Sequence, residues 1–475
     1  MGFNSFSFIF LFLPVAVGGY FLLARKSNRT WPKLWLLLVS LQFFVAAGVE
    51  SLLLLLGSLT LNYFSARLLV SGRGLMGLSH RALLIAAIAL NVGFLGYFKY
   101  AAFFVQVLNR LVGAHLPLPP ASLPLGISFY TIYQIMFLVD CGEGLVEGHN
   151  WLDHFLFGGI FLYSTMGPIV RWKQIVPQLN DTKAYRANLD NSSAGLFLCA
   201  IGLFKKVVLA DNFGRWADAG FNYNYPLSLI GSWIAALSFT FQLYFDFSGY
   251  TDMAIGVGLL FNIILPQNFN APFRAQSISD FWRRWHITLT NFITSYMYTP
   301  IIRSMNQPTF GKAMIATFVV MLIAGFWHGA NWTFLVFGAL HGAALVVNQC
   351  WKRMKYPMPG PVGWLVTFLF VIVSLVFFRS SHVSQGLHII ASMSTLRGGL
   401  FSFEPWTTIN QYDRLIGTGW MLLGVAILIR APSSQQLQRT FRPSWVSLLL
   451  AIILAVVACI YLNSDGSKSF VYRRF

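Results

Sequence analysis

Charge is scarce in this chain. Only 10% of its 475 residues are Asp, Glu, Lys or Arg, and just 15 residues are acidic. An ordinary soluble domain carries roughly 25% charged residues, so a water-soluble globule of this length would lack the side chains to cover its surface. Cysteine is sparse too. Cys141, Cys199, Cys350 and Cys459 stand far apart and none belongs to a C-x-x-C pair, which offers no support for a zinc site or a disulfide framework; no metal is expected. No positive residue precedes the first apolar run, from about Phe6 to Leu23; Arg25, Lys26 and Arg29 follow it instead. A cleavable signal peptide has the opposite order. The run reads as a retained first helix with its basic flank in the cytoplasm and its start outside. No repeat of fixed period is visible, so a solenoid is not expected. No long polar stretch divides the chain, and residues 1–475 read as a single integral membrane domain.

What the chain has in excess is apolar surface: 56% hydrophobic residues, with 45 Phe, 18 Tyr and 15 Trp. Lipid accepts such side chains facing outward, provided the backbone is satisfied internally by helices. Apolar runs fall at about 6–24, 33–48, 50–70, 82–108, 123–140, 192–210, 227–247, 249–265, 312–327, 329–349, 362–378, 416–430 and 444–462. A span takes about 20 residues and several runs are shorter. The expectation is an all-α, polytopic bundle of about 10–13 membrane helices with some re-entrant or interfacial segments. The net charge of +18 invites a nucleic-acid reading, but the Lys and Arg sit in short loops between apolar runs, where cytoplasmic loops collect them. The expected partner is membrane lipid, with no nucleic acid. The uncharged connector Leu116-Pro117-Leu118-Pro119-Pro120 suits the outer side; Lys352, Arg353 and Lys355 suit the cytoplasmic one.

Charged and imidazole groups at membrane depth are costly and tend to face protein or a water-filled cavity. Three places carry them. In Tyr244-Phe245-Asp246-Phe247-Ser248-Gly249-Tyr250-Thr251-Asp252, two carboxylates lie six residues apart, about 240° round a helix. They do not share a face, and a structural ion pair, with Arg or free backbone N–H groups as partners, is favoured over direct chemistry. Gly249 suggests a break or a close backbone approach. In Asp280-Phe281-Trp282-Arg283-Arg284-Trp285-His286, Asp280 and Arg284 are spaced to pair on a helix, and the Trp–Arg alternation suits the interface. His286 is either an interface anchor or a site residue. In Ala324-Gly325-Phe326-Trp327-His328-Gly329-Ala330-Asn331-Trp332, small residues around His328 let a helix or a ligand come close. A neutral imidazole there can take a proton from a hydroxyl, or it can be a hydrogen-bonded structural histidine. His341, about 220° round a helix from His328, reads as packing or secondary.

At these places the sequence resembles the membrane-bound O-acyltransferase family, in the bacterial branch that includes alginate O-acetyltransferases and teichoic acid D-alanyl transferases. The stretches that carry the resemblance are Leu123 to Tyr130, Gly167-Pro168-Ile169-Val170-Arg171, Phe204-Lys205-Lys206-Val207, Tyr244 to Ala254, Phe281 to Ile287 and Trp327 to Asn331. They run in the family's order over roughly residues 90–345, leaving 1–89 and 346–475 as peripheral helices. The loop at Thr299 to Pro308 and the stretches Asp140 to Gly144 and Leu162 to Met166 depart from the family's usual versions. The resemblance implies a bundle around a central tunnel, with His328 catalytic and His286 a second active-site residue. Trp327, Asn331, Arg283, Arg284, Asp246 and Asp252 would support the site or line the tunnel. It implies no tightly bound cofactor. The donor is acetyl-CoA or another acyl thioester, the acceptor a polysaccharide, and a periplasmic or membrane-anchored acetyltransferase is the partner. The expected location is the bacterial inner membrane. D-alanyl or other acyl transfer is the alternative within that chemistry; a transporter or a scaffold of a polysaccharide-export complex is the alternative outside it, although no inverted repeat with matching broken helices supports it.

Overall fold

A computed structural model describes residues 2–26, 28–71, 79–119, 123–146, 148–223, 227–395, 411–465 and 468–471. Pro120 and the basic end Arg473-Arg474-Phe475 lie outside the described residues. Among those residues every regular element is a helix and there is no strand. In chain order these are α1 (Leu13–Ala24, entered through a π turn at Phe8–Phe12), α2 (Thr30–Val45), α3 (Val49–Val70), α4 (His80–Leu95), α5 (Ala101–Val112), α6 (Ile127–Gly142), α7 (Trp151–Gly159) and α8 (Trp172–Asn180). Next come α9 (Leu189–Phe204), α10 (Asp211–Phe221), α11 (Leu229–Leu260), α12 (Ile278–Trp282), α13 (Ile287–Phe292), α14 (Thr299–Arg303), α15 (Phe310–His328) and α16 (Trp332–Arg353). Last are α17 (Gly360–Arg379), α18 (Val383–Ser392), α19 (Gln411–Arg430), α20 (Ser434–Thr440) and α21 (Trp445–Asp465).

Among the described residues, seven helical stretches are long and apolar enough to cross a bilayer, and four shorter apolar helices accompany them. Their outward faces are greasy. On α21, Leu448, Leu449, Ile452, Ile453, Val456 and Ile460 are all exposed, the pattern of a helix whose solvent is lipid. The protein is a multi-pass membrane protein. One expectation needs correction. The apolar runs at 227–247 and 249–265 are not two spans: α11 is continuous through Gly249 over 32 residues, about 48 Å at 1.5 Å per residue. Gly249 marks a close approach instead. A Cβ there would stand 2.7 Å from the carbonyl oxygen of Gly202 on α9, so only glycine lets the two backbones meet.

The chain forms two compact units: residues 1–199, 251–266 and 442–451 in the first, and 200–250, 267–441 and 452–475 in the second. In the first, α2 packs on α1, α3 and α7, and α6 on α3 and α4. Two polar clusters sit among these apolar helices. Asn62 and Asn91, both buried, exchange side-chain hydrogen bonds at 3.0 and 2.7 Å between α3 and α4. Below the basic loop that follows α1, Lys33 donates to Asp153 at 2.6 Å and to Asn180 at 2.7 Å. In the second unit, α15 and α16 form a tight hairpin against α17. A Cβ on Gly325 would stand 2.7 Å from the Cα of Gly338, and this small-residue contact fixes the turn that carries His328.

Candidate active site

His328 is the last residue of α15, at the turn into α16. Gly329 takes an extended backbone and Asn331 caps α16, its side-chain oxygen accepting from the Thr333 N–H at 3.2 Å. The Asn331 amide also donates to the Ser381 carbonyl at 2.9 Å. The turn is therefore held from both sides, and His328 is buried in it. Its imidazole is ringed by aromatics, with Trp327 at 5.1 Å, Phe378 of α17 at 5.2 Å and Phe337 at 6.4 Å between ring centroids.

His286 comes from the connection between α12 and α13. Asp280 and Arg284 pair at 3.0 Å, as their spacing predicts, while the Arg283 side chain points largely to the outside. Phe269, Tyr244 and Phe281 gather round Trp285. His286 itself has φ 42° and ψ 52°. That is the left-handed region, which residues with a Cβ enter only where the surroundings impose it, often at functional sites. Here the imposing residue is Asn268, fully buried. Its backbone carbonyl accepts from the Ile287 N–H at 3.0 Å. Its side-chain oxygen accepts from the Thr288 N–H at 3.2 Å and the Thr288 hydroxyl at 2.6 Å, and lies 3.3 Å from His286 Nδ1. An amide oxygen only accepts, so Nδ1 carries the proton and Nε2 is the basic nitrogen. Phe247 of α11 meets the other side of the ring, edge on, at 4.7 Å. Burial pushes the pKa of His286 below the usual imidazole range, so the ring is neutral.

His341 is tied to this loop. Trp282 Nε1 donates to His341 Nδ1 at 3.2 Å, and His341 Nε2 then donates to Ser374 Oγ of α17 at 2.9 Å. Phe337 packs on His341 at 4.4 Å and also touches His328, so one aromatic ring joins the two histidine environments.

The paired acids separate. Asp252 is buried in the first unit. Asp246 lies in the second, 1% exposed, and accepts from Lys206 Nζ at 2.8 Å. Of the two kinds of partner expected, Arg or a free backbone N–H, the charged one is a lysine instead, and the backbone donor is the Val471 N–H. The lysine lies in a π turn at Lys205–Ala210 between α9 and α10. Lys206 also donates to Asp211 at 2.8 Å and to the Ser469 carbonyl at 3.2 Å. The Val471 N–H donates to Asp246 Oδ2 at 2.9 Å, and the Phe470 ring covers Lys206 Nζ at 4.8 Å. This cluster holds α11 one residue before Phe247. Sequence reading gave Lys206 no individual role and passed over Asn268; neither residue type announces such a task from its neighbours alone. A cavity of about 210 Å³ elsewhere in the unit is lined mainly by apolar side chains, among them Phe204, Phe245, Phe273 and Ile427, with Lys205, and by none of the three histidines.

The membrane-bound O-acyltransferase family profile matches residues 125–381, which include both histidine motifs. A peptidoglycan O-acetyltransferase of Helicobacter pylori is 37% identical over 100% of this chain and 97% of that protein. A probable alginate O-acetylase, AlgI, of Pseudomonas aeruginosa is 35% identical over 90% of this chain and 80% of its own length. A teichoic acid D-alanyltransferase of Bacillus subtilis is 26% identical over 54% of this chain and 68% of its own. With a family match over more than half its length and relatives aligned nearly end to end, the chain belongs to the membrane-bound O-acyltransferase family and is a membrane O-acyltransferase.

Proposed function

We propose that this enzyme moves acetyl groups from a cytoplasmic thioester, acetyl-CoA in the first instance, to hydroxyls of an envelope polysaccharide outside the bacterial inner membrane. The acceptor is the polymer itself or a hydroxyl on a periplasmic or membrane-anchored acetyltransferase partner that passes the group on. The observation that carries the choice of acetyl is the end-to-end match to a peptidoglycan O-acetyltransferase. D-alanyl transfer is the second reading, favoured only by matches that span about half of the chain.

In this reading His328 takes the proton of the acceptor hydroxyl as its oxygen attacks the thioester carbonyl. The aromatic enclosure keeps bulk water from the imidazole. His286, locked in one tautomer by Asn268, supports the transfer with a neutral ring. Trp327 walls the His328 side, Asn331 and Arg284 fix the two turns, and Asp246 holds α11. The test is a knockout strain complemented with wild type, His328→Ala or His286→Ala, with acetyl content of isolated peptidoglycan and exopolysaccharide read by mass spectrometry. Acetylation restored by wild type and lost with His328→Ala at equal membrane levels is the expected result. Polymer whose acetylation is unchanged by the knockout rejects the reading.

A further inference from the structure

The carboxamide of Asn268 has an unspent half. Its oxygen faces the Thr288 N–H, which can only donate, so the amide cannot be turned over without setting donor against donor. That fixes Nδ2 on the opposite side. There, among the described residues, it is buried and meets no protein acceptor. Asn268 is 0% exposed. Buried donors without partners are rare in folded proteins because each forfeits its hydration. This one sits on the same carboxamide whose oxygen stands 3.3 Å from His286 Nδ1. Three contacts hold the oxygen: the amide and hydroxyl of Thr288, and the imidazole. The rigid planar group therefore aims its two N–H bonds without freedom to relax.

We propose that Asn268 is a further catalytic residue, its Nδ2 donating to the acyl carbonyl oxygen as that oxygen becomes an oxyanion. The proposal rests on the acyl-transfer role given to the histidines above. In the step concerned, the acceptor oxygen bonds to the acyl carbon, its proton passes to the imidazole base, and the carbonyl electron pair moves onto oxygen. That pair returns as the carbon–sulfur bond breaks and the thiolate leaves with the proton. Asn268 makes and breaks no bond; it stabilises the charge in between. Donors fixed in advance where charge develops need no reorganisation during the reaction.

Two variants separate this from a structural role. Asn268→Asp keeps oxygen acceptors for Thr288 and His286 and removes both Nδ2 donors. Thr288→Val loosens the carboxamide and keeps the donors. Each is measured in the full-length enzyme for kcat and KM with acetyl-CoA. Each is also combined with His328→Ala, to stop turnover, and the carbonyl stretch of bound ¹³C-carbonyl acetyl-CoA is recorded by infrared difference spectroscopy. Asn268→Asp should lower kcat by about 10²–10³-fold, leave KM within about threefold, and return the carbonyl band to its frequency in free acetyl-CoA. Thr288→Val should lower kcat less and broaden the band. A band that does not move in Asn268→Asp overturns the proposal and leaves Nδ2 as a holder of buried water. Should Asn268→Asp not fold, Thr288→Val alone decides: an unchanged band and an unchanged kcat overturn it. Full activity of His328→Ala would reject the histidine mechanism while leaving the band to report on Asn268 by itself.

Discussion

Removing the Asp246 carboxylate should unfold the second unit rather than merely slow the enzyme. Asp246 and Lys206 each have side chains 1% exposed and meet at 2.8 Å. In Asp246→Ala, Lys206 keeps Asp211 and the Ser469 carbonyl but loses one of two carboxylates. Breaking a buried pair from one side costs about 3–5 kcal/mol, and the retained Asp211 puts this case near the low end. The Val471 N–H loses its acceptor as well, adding about 1 kcal/mol or more. The total, about 4 kcal/mol, is a large part of the 5–15 kcal/mol that typically separates folded from unfolded protein. Asp246→Asn is different. The cluster has two aspartates on one lysine, so neutralising one leaves Lys206 and Asp211 in balance, but Lys206 and the Val471 N–H bond different oxygens of Asp246, so the amide oxygen keeps one of them and the amide nitrogen is set against the other. Its cost should be about 1–3 kcal/mol, for the one buried donor left without an acceptor. The assay is monodisperse yield and apparent melting temperature in detergent for wild type and both variants. Asp246→Ala should give little folded protein and melt at least several degrees lower, with Asp246→Asn between it and wild type. An Asp246→Ala protein with wild-type yield and melting but no transfer activity would refute the argument and place the carboxylate in the chemistry.

His328→Ala should insert and fold normally and lose about 10²–10⁴-fold in transfer rate, the usual range for a general acid–base; His286→Ala should lose activity with some left, both read as acetyl transferred per folded enzyme. His341→Ala should fail differently. It leaves Trp282 Nε1 without its acceptor and opens a hole between α12, α16 and α17, so the yield of folded protein should fall before kcat does. Cysteines placed at Arg25, Lys26 or Arg29 should resist a membrane-impermeant thiol reagent in intact cells and label after lysis, as the positive charge there predicts for a cytoplasmic segment; ready labelling in intact cells reverses the topology.

Composition and apolar runs were enough to read a polytopic helical membrane protein, because lipid imposes one solution on the backbone. The pairing of Asp280 with Arg284 was legible because helix geometry dictates it locally. Where reading went astray, the deciding contact was distant. Gly249 offers a break or a close backbone approach, and only Gly202 brought against it decides for the second, so that the missing Cβ becomes a reason for α11 to run straight. The sequence allows Asp246 an arginine or a backbone N–H as partner: the backbone donor comes from Val471, and the charge from Lys206, 40 residues upstream in the π turn at Lys205–Ala210. His341 was set aside on its angle from His328, which says nothing about Trp282, 59 residues away, as its donor. Nothing in the residues around Asn268 marks it out; only the left-handed backbone of His286 shows what it restrains.

The Lys206 cluster also sets a timetable for assembly in the cell. Lys206 acquires Asp211 within five residues and Asp246 after 40, but its contact with Ser469 closes over 263 residues of chain and the Val471 link to Asp246 over 225. Helices that enter the bilayer as they are synthesised therefore hold an ion cluster open until nearly all the others are in place. A chain interrupted before Val471 keeps a buried carboxylate short of its amide donor, a polar defect that is costly in an apolar interior. The core of the second unit thus closes only when Ser469 and Val471 reach groups made 263 and 225 residues earlier, and a product cut short before them carries an unfinished polar cluster in its own interior.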